Sequence, residues 1–419
     1  MPRTPCRASR WLAHVLTLAL LVATGARAHA QVQPPESRDA LHAPGKDVTV
    51  HLMTMGNGSD VYEMFGHSSF WIHDNVTQRD TVINWGVFDR DQPNFIPHFL
   101  KGLMLYSVGG NRLQDVLYSY RYWNRSVTTQ ELELTATQRD TLLAMVRANF
   151  LPENVHYRYD YFVDNCATKP RDILDHVLGG QLRIGADSLS GTSYRWHATR
   201  LMQGDRPLVV GVEIGLGRPA DREITKWEEM FLPRKLHDWV ATRQVRDSAG
   251  ALRPLARNDR VLFEANRPPE AATPPSFTWL WGLGVGIGAL FLVVGFAARD
   301  SRAARIVAAT LYSIWAAICG LLGVLLTLLW TVTDHRFAHQ NENLLLFHPL
   351  WLVLAVALPM TIVRRRDVAG TTRWLSVFLA ASALALVAHA GLSRQMNLSV
   401  IGLALPPVAA LWLVVRRLA

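Results

Sequence analysis

Cysteine is the residue type whose positions in this sequence most suggest covalent chemistry. The 419-residue chain has three cysteines, Cys6, Cys166 and Cys319. Cys6 precedes an N-terminal apolar run and Cys319 lies within a long apolar stretch, so Cys166 is the single cysteine of the polar middle segment. A thiol without a disulfide partner is a liability in an oxidising compartment unless it reacts. The alternative is an inert cysteine packed as a small apolar residue.

The residues around Cys166 predict a strand, a turn and then a helix. An aromatic run at 157–163 leads into residues 164–168, which are typical of a helix cap, and the helix is expected to end at Gly179. Backbone N–H groups at a helix N-terminus stabilise a thiolate and a developing oxyanion. Pro170 suits the first helical turn, which would place Cys166 on the turn just before the regular helix.

A cysteine nucleophile needs a base, and histidine is the usual one. Residues 31–270 contain nine histidines, and spacing alone does not single out one of them: His42, His51, His67, His73, His98, His156, His176, His197 and His237. The strand-like run 65–72 contains His67, and residues 81–86 return as its partner strand after a turn. Antiparallel pairing of this hairpin would bring His67 close to Asn84.

Other site chemistries leave no comparable signal in the middle segment. It has no His-x-x-x-His or Cys-x-x-Cys spacing for zinc, no Gly-x-Ser-x-Gly elbow and no phosphate-binding loop. The formal net charge is +9, but the excess basic residues lie in the first 30 residues and after residue 270. The near-neutral middle argues against nucleic-acid binding, which needs basic residues clustered on the binding domain.

The N-terminus has the three parts of a cleavable secretory signal. Arg3, Arg7 and Arg10 precede an apolar run at 11–22, and a stretch of small residues ends at Ala30. The apolar run is shorter than the roughly 20 residues that a membrane span needs, which argues against the alternative of an uncleaved anchor helix. We expect cleavage near Ala30 and export of the middle segment.

The C-terminal third predicts a membrane domain. Five apolar stretches are near or above the length of a membrane span: 277–298, 306–332, 344–363, 374–392 and 398–415. With the middle segment outside, nine arginines fall on the inner side and two on the outer side, in agreement with the positive-inside rule. We predict a multi-pass protein of the bacterial inner membrane, with a periplasmic middle domain and a cytoplasmic C-terminus.

These features divide the chain into five parts. We predict a signal peptide, a flexible lead-in, a catalytic domain, a Pro-rich linker and a transmembrane domain, at 1–30, 31–46, 47–264, 265–276 and 277–419. The lead-in is polar, and four prolines make the linker stiff.

A polar cluster at 334–343 lies between the second and third apolar stretches, on the outer side. One interpretation is an ordinary solvated loop. The other is contact with a lipid headgroup or a membrane-bound protein, for which His335, Asn341 and Asn343 are the candidate substrate-binding residues. His335 and His339 have a spacing that suits a metal, but without a clear third ligand we predict no metal site.

The exported segment contains an ordered set of motifs: Phe65-Gly66-His67-Ser68, Asn84-Trp85-Gly86-Val87-Phe88-Asp89, Phe99-Leu100-Lys101-Gly102, Tyr159-Asp160-Tyr161-Phe162-Val163-Asp164-Asn165-Cys166-Ala167-Thr168, Leu216-Gly217 with Asp221, and Trp227-Glu228-Glu229-Met230-Phe231-Leu232-Pro233. Together they resemble the motifs of one family, the Lnb-type lipoprotein N-acyltransferases. The resemblance implies an α+β fold, a permuted papain-like domain of the lecithin–retinol-acyltransferase type, followed by an α-helical bundle of five transmembrane helices. Ala167 departs from the family pattern, where threonine is expected.

The resemblance also implies a reaction. An acyl chain moves from a membrane glycerophospholipid to Cys166 as a thioester, and then to the α-amine of the lipidated N-terminal cysteine of a diacylated apolipoprotein. His67 acts as base and Asn84 as the third polar residue, and no cofactor is implied. Two alternatives remain open: a membrane-tethered cysteine hydrolase that cuts peptide or amide bonds with the same residues, and a non-catalytic membrane scaffold.

Overall fold

The computed structural model describes residues 40–88, 94–247, 250–389, 391 and 395–418. The predicted signal peptide and most of the predicted lead-in lie outside these residues. The described chain forms a sheet domain, residues 40–264, and a helical domain, residues 278–418, which are joined by the proline-containing linker.

A seven-stranded antiparallel sheet is the framework of the sheet domain. The strands of the domain are β1 (Val48–Met55), β2 (His67–Asp74), β3 (Arg79–Val87), β4 (Leu105–Asn111), β5 (Val127–Leu132), β6 (His156–Arg158), β7 (Leu189–Ser193), β8 (Glu223–Thr225), β9 (Gln244–Arg246), β10 (Leu252–Pro254) and β11 (Ala256–Phe263). The order across the large sheet is β11-β5-β1-β2-β3-β4-β6, while β7 pairs with β8 and β9 with β10. Strand β2 therefore lies at the centre of the sheet, with β1 and β3 on either side.

Helices pack around this sheet. They are α1 (Phe95–Lys101), α2 (Leu113–Tyr122), α3 (Ala136–Asn149), α4 (Thr168–Val177), α5 (Tyr194–Met202), α6 (Arg206–Gly215), α7 (Lys226–Glu229) and α8 (Pro233–Thr242). Local sequence explains several helix starts, since Thr135 and Gln138 form a capping box at α3 and Asp205 caps α6. The mixture of sheet and helices confirms the α+β class.

The main core lies between the large sheet and the helices α3, α4 and α8. Phe70 and Trp85 from the central strands are fully buried there, together with Leu143 of α3 and Leu174 of α4. Burial of such apolar side chains, each worth about 1.5–3 kcal/mol, fixes the helix that follows Cys166 against the central strand β2. This is the packing that positions the site.

The packed domain begins before the predicted boundary at residue 47. Ala40 and Leu41 are buried in the main core, and Arg147 donates to the Leu41 carbonyl oxygen at 2.5 Å. The Gly45 N–H donates to Asp140 at 2.6 Å. For residues 40–46 the prediction of a flexible lead-in is therefore wrong, because apolar burial and hydrogen bonds to α3 hold this segment.

The helical domain contains an apolar helix for each of the five predicted stretches. They are α9 (Thr278–Ala297), α10 (Arg302–Thr331), α11 (Trp351–Arg364), α12 (Val368–His389) and α13 (Leu398–Arg416). Four of them are long and apolar enough to cross a membrane, and α11 is shorter. The count of five spans stays a prediction.

The short helix α11 begins well inside the helical bundle, where the residues before it pack against α10. A Cβ on Gly323 of α10 would lie 2.6 Å from the Phe347 carbonyl oxygen. Since Gly323 lies eight residues before the end of α10, at about 1.5 Å per residue, the non-helical segment before Trp351 already reaches well inside the bundle. Irregular backbone at that depth is tolerated where protein surrounds it, and Phe347 is fully buried. The predicted stretch at 344–363 is thus only partly helical.

The loop between α10 and α11 connects the two domains. Its residue Phe337 is buried in an aromatic cluster of the sheet domain, against Phe162, Tyr194 and Phe231. The Gly217 N–H donates to the Phe337 carbonyl oxygen at 2.8 Å. The sheet domain therefore sits on the helix ends that carry this loop, while the arginines at 299–305 and 364–366 lie toward the opposite helix ends.

Candidate active site

The β2–β3 hairpin brings His67 and Asn84 together, as antiparallel pairing predicts. Ser69 of β2 pairs with Asn84 of β3, two residues from His67. Nε2 of His67 lies 3.1 Å from Oδ1 of Asn84. Because an amide oxygen only accepts, this contact assigns the ring proton to Nε2. Nδ1 is then the ring nitrogen that can take a proton from a thiol.

Two neighbours fix the amide of Asn84 in this orientation. The Ser69 hydroxyl donates to Oδ1 at 2.5 Å, and Nδ2 donates to Oδ1 of Asn111 at 3.0 Å. The amide oxygen therefore faces His67, and the amide nitrogen faces β4. Sequence reasoning missed Asn111, since only the β3–β4 register brings residues 27 positions apart together.

Asn165 shapes the turn that carries Cys166. Its side-chain oxygen accepts from the backbone N–H groups of Ala167 at 2.8 Å and Thr168 at 3.0 Å. Its amide nitrogen donates to the carbonyl oxygens of Tyr161 and Phe231, both at 2.9 Å. Both side-chain polar atoms of this buried asparagine are thus paired, and the turn before α4 is fixed from both sides. The sequence marked Asn165 only as a cap-type residue.

Cys166 lies two residues before the first residue of α4, on the turn that Pro170 suggested. The backbone N–H groups of Ser68 and of Cys166 itself lie close enough to the sulfur to lower its pKa. Ser68 directly follows His67, so the thiol lies against the start of β2. The N–H groups of Ala167 and Thr168 already serve Asn165, and this leaves those of Ser68 and Cys166 to receive an oxyanion.

The resting site is neutral. Burial raises the pKa of the Cys166 thiol to about 11, although the two backbone N–H donors and Arg125 lower it. Burial and, to a lesser extent, the charge of Arg125 lower the pKa of His67 to about 4, although the hydrogen bond to Asn84 raises it. At neutral pH the pair is therefore thiol and imidazole, and the proton has to move when the sulfur attacks.

Arg125 is a buried cation beside this pair. It bonds to Glu63 at 2.8 Å and donates from Nε to the Gly56 carbonyl oxygen at 3.0 Å. Its charge acts on both reacting groups, favouring a thiolate at Cys166 and opposing a charged His67. It also holds the loop that precedes His67. No local sequence pattern indicates Arg125, because the ion pair joins residues 62 positions apart.

A wall of aromatic side chains lies next to Cys166. A Cβ on Gly86 would lie 3.0 Å from the Tyr159 ring and 3.9 Å from the Cys166 Cβ. Gly86 has a φ of +85°, so glycine suits both its backbone and the close approach of Tyr159. Tyr159 stacks on Tyr106 at 4.5 Å, and Phe88 follows at 5.3 Å from Tyr106. Aromatic rings therefore line one side of the thiol.

The loop residues predicted to bind substrate make contacts within the protein. Asn341 donates from Nδ2 to the carbonyl oxygens of Ile214 at 2.8 Å and Gly215 at 3.0 Å, and Asn343 donates to Ile214 at 3.0 Å. Both asparagines are buried and join the two domains. Their predicted contact with substrate stays untested, and the function proposed below does not depend on it.

His335 lies in the same loop but nearer the surface. Its Nε2 lies 3.1 Å from the Phe99 carbonyl oxygen in α1. The loop is therefore not a free solvated segment, although its substrate contact also stays a prediction. Among the described residues, no group of three or more histidine, cysteine or acidic side chains is placed to hold a metal ion.

Fold and site together define a membrane protein whose extramembrane α+β domain carries a buried Cys–His–Asn constellation next to its helical bundle. Residues 41–200 match the Lnb N-terminal periplasmic domain, and residues 273–416 match the Lnb transmembrane domain. The two matches cover well over half of the chain, which belongs to the Lnb family and is a multi-pass membrane protein with a periplasmic N-terminal domain. Comparison with curated proteins and with solved structures gives no match.

Proposed function

We propose that this protein is a lipoprotein N-acyltransferase that carries the acyl group on Cys166. The observation that supports this most is the convergence of Cys166, His67 and Asn84 at one end of the β2–β3 hairpin, in a chain with both Lnb domains. The strand of His67 precedes the helix of Cys166, the order of a permuted papain-like domain, and we include that fold in the proposal.

The first step acylates the enzyme. Nδ1 of His67 takes the proton of the Cys166 thiol while the sulfur attacks the ester carbonyl carbon of a glycerophospholipid. The N–H groups of Ser68 and Cys166 donate to the oxyanion. The C–O bond then breaks, and the lysophospholipid oxygen leaves with the proton from His67.

The second step transfers the acyl group to an amine. The α-amine of the lipidated N-terminal cysteine of an apolipoprotein attacks the thioester, and His67 removes its proton. The C–S bond breaks, an amide forms and the thiol is restored. Because water would hydrolyse the thioester, an apolar site favours transfer, and the aromatic wall of Tyr159 and Tyr106 provides one.

In the proposed orientation both substrates lie on the same side of the membrane as the active site. With the sheet domain in the periplasm, the arginines at 299–305, 364–366 and 416–417 face the cytoplasm, as the positive-inside rule requires. The protein then lies in the inner membrane of a bacterium, with five spans and a cytoplasmic C-terminus.

The decisive experiment is complementation combined with mass spectrometry. Expressed in a Gram-negative host depleted of its own N-acyltransferase, the protein should restore growth and triacylated lipoproteins, and Cys166→Ala should restore neither while accumulating normally. Lipoproteins that stay diacylated despite correct insertion would favour the hydrolase alternative.

The covalent step has its own test on purified protein. With phospholipid and no acceptor, intact mass should show one acyl group on Cys166, and neutral hydroxylamine should release it as it releases a thioester. A diacylated lipopeptide should discharge the adduct into product with two-step kinetics. N-acylation by Cys166→Ala would instead make the thiol structural and overturn the mechanism.

A further inference from the structure

Helix α1 exposes apolar side chains on the surface of the sheet domain. Ile96 is 48% exposed and Leu100 is 62% exposed, and Leu103 and Leu105, which follow the helix, are also exposed. In α3 and α4, by contrast, the apolar face of the helix points into the core. A cluster of this size on one edge indicates contact with something apolar.

The contacts of α1 place it at the end of a candidate membrane span. The Asp334 N–H donates to the Lys101 carbonyl oxygen at 2.8 Å, and α10 ends at Thr331. Three residues of chain reach about 10 Å at most. The apolar side chains of α1 therefore lie close to the level at which α10 leaves the hydrocarbon region.

The attachment of α1 to α10 is close and specific. Gly102 has a φ of +74°, and a Cβ there would lie 2.9 Å from the backbone of Asp334 and His335. Arg158 of β6 forms an ion pair with Asp334 at 2.8 Å. Backbone contacts thus hold the end of the helix at this height, and the ion pair joins the neighbouring strand β6 to the same loop.

We propose that α1 with Leu103 and Leu105 is an interfacial element that lies in the outer leaflet and admits the acyl chain of the donor phospholipid to Cys166. The occupant of the surface is the lipid bilayer. Lys101 and His98 on the same helix are exposed, and a basic residue beside apolar ones suits the boundary of phosphate headgroups and acyl chains. The assignment of the acyl chain rests on the proposed function.

A short structural path joins this surface to the nucleophile. Leu105 begins β4, and the next residue, Tyr106, stacks on Tyr159. Tyr159 lies against Gly86, where an added Cβ would be 3.9 Å from the Cys166 Cβ. Because neighbouring residues of a strand face opposite sides, an acyl chain bound beside Leu105 reaches Tyr106 around the end of β4, and the aromatic wall then leads to the thiol.

The depth of α1 in the bilayer can be measured directly by fluorescence quenching. In the full chain with Cys166 and Cys319 replaced by alanine and reconstituted in phospholipid vesicles, a fluorophore on Leu100→Cys should be quenched by lipids brominated on their acyl chains. The matched control is Val76→Cys, which is 71% exposed in the turn at the opposite end of β2 and should be quenched only by a water-soluble agent. Quenching of the Leu100→Cys label by the soluble agent alone overturns the proposal.

A comparison of two phospholipid donors tests whether α1 admits the acyl chain. Leu100→Asp should lower the ratio of the acylation rate with long-chain phospholipid in vesicles to that with a dissolved short-chain phospholipid, by roughly tenfold or more for one lost apolar contact. Val76→Asp should leave the ratio unchanged. An unchanged ratio in Leu100→Asp overturns the proposal, whether through equal rates or through equal loss on both donors.

Two further outcomes distinguish a failure of this proposal from a failure of the proposed function on which it rests. If wild-type protein acylates Cys166 with neither donor, the proposed function fails, while the bilayer location can still be read from the quenching. If α1 is protected from the soluble agent only when a diacylated lipopeptide is present, the surface binds the acceptor, and the lipid assignment is wrong.

Discussion

Replacement of Asn84 by alanine tests whether His67 needs an orienting partner. The contact between Nε2 of His67 and Oδ1 of Asn84 is 3.1 Å long, and Asn111 holds the amide in position at 3.0 Å. In the resting site the ring is neutral, because burial keeps the pKa of His67 at about 4. When His67 holds the Cys166 proton, the same hydrogen bond has a charged donor.

The expected loss follows from that change of charge. A hydrogen bond to a charged group contributes about 1.5–3 kcal/mol, and about 1.36 kcal/mol corresponds to a factor of ten in rate. The neutral bond of the resting site already contributes about 0.5–1.5 kcal/mol, so only the difference of about 1–1.5 kcal/mol acts on the rate. Asn84→Ala should therefore slow formation of the acyl-enzyme by roughly 5- to 13-fold. The loss should be smaller than that of His67→Ala, for which removal of a general base costs roughly 10²–10⁴ in rate.

The assay follows the mass of the acyl adduct on Cys166 over time, in phospholipid vesicles without acceptor. Asn84→Asp is informative because it keeps an oxygen for the ring N–H and adds a charge that favours the imidazolium. It should acylate faster than Asn84→Ala. The matched control is Asn75→Ala, an exposed asparagine at the far end of β2 whose side chain bonds to Thr49 at 3.2 Å, and it should acylate at the wild-type rate.

Two results would refute the reasoning. A wild-type rate in Asn84→Ala would show that packing alone orients His67. A loss equal to that of His67→Ala, with an unchanged unfolding temperature, would mean that Asn84 takes part in the chemistry itself rather than orienting the base.

Three further predictions concern reactivity, stability and topology. Because the pKa of Cys166 is raised to about 11, alkylation of this thiol by iodoacetamide should be slow at pH 7 and rise about tenfold per pH unit toward that value, since only the thiolate reacts; a rate that is already constant from pH 6 upward would indicate a resting ion pair. Asn343→Ala should lower the unfolding temperature in detergent by several degrees, because it leaves the buried Asn397 amide without this partner, at about 1–3 kcal/mol; an unchanged temperature would remove Asn343 from the domain contact. A reporter fused after the last residue should be active only as a cytoplasmic reporter, and a periplasmic signal would overturn the five-span topology.

Local sequence patterns were sufficient for the elements nearest the chemistry. Alternating residues and a turn predicted the β2–β3 hairpin, and a period of two placed His67 and Asn84 at the same end. The cap-type residues before Pro170 predicted a turn at Cys166 followed by a helix, which begins at Thr168. These predictions succeeded because hairpin register and helix start depend on residues that are near each other in the chain.

The predictions from sequence were wrong for two segments whose structure depends on packing against distant parts of the chain. Residues 40–46 look polar and flexible, but Ala40 and Leu41 fill a gap beside α3. The apolar stretch at 344–363 looks like one span, but the regular helix begins only at Trp351, and residues just before it pack against Gly323. Hydropathy reports that a segment will be buried, and it does not report whether lipid or protein surrounds it.

What the sequence by itself determined is the set of parts: an exported α+β domain with one thiol, a hairpin that joins a histidine to an asparagine, and a C-terminal membrane domain. The tertiary structure decided how the parts act on one another. It brought Arg125, which is paired with Glu63, beside the thiol, aligned Asn84 through Asn111, and set α1 at the end of α10. Each of these contacts joins residues far apart in the chain. The free energy that selects them comes from burial and from pairing of polar groups across the whole fold, which no local pattern encodes.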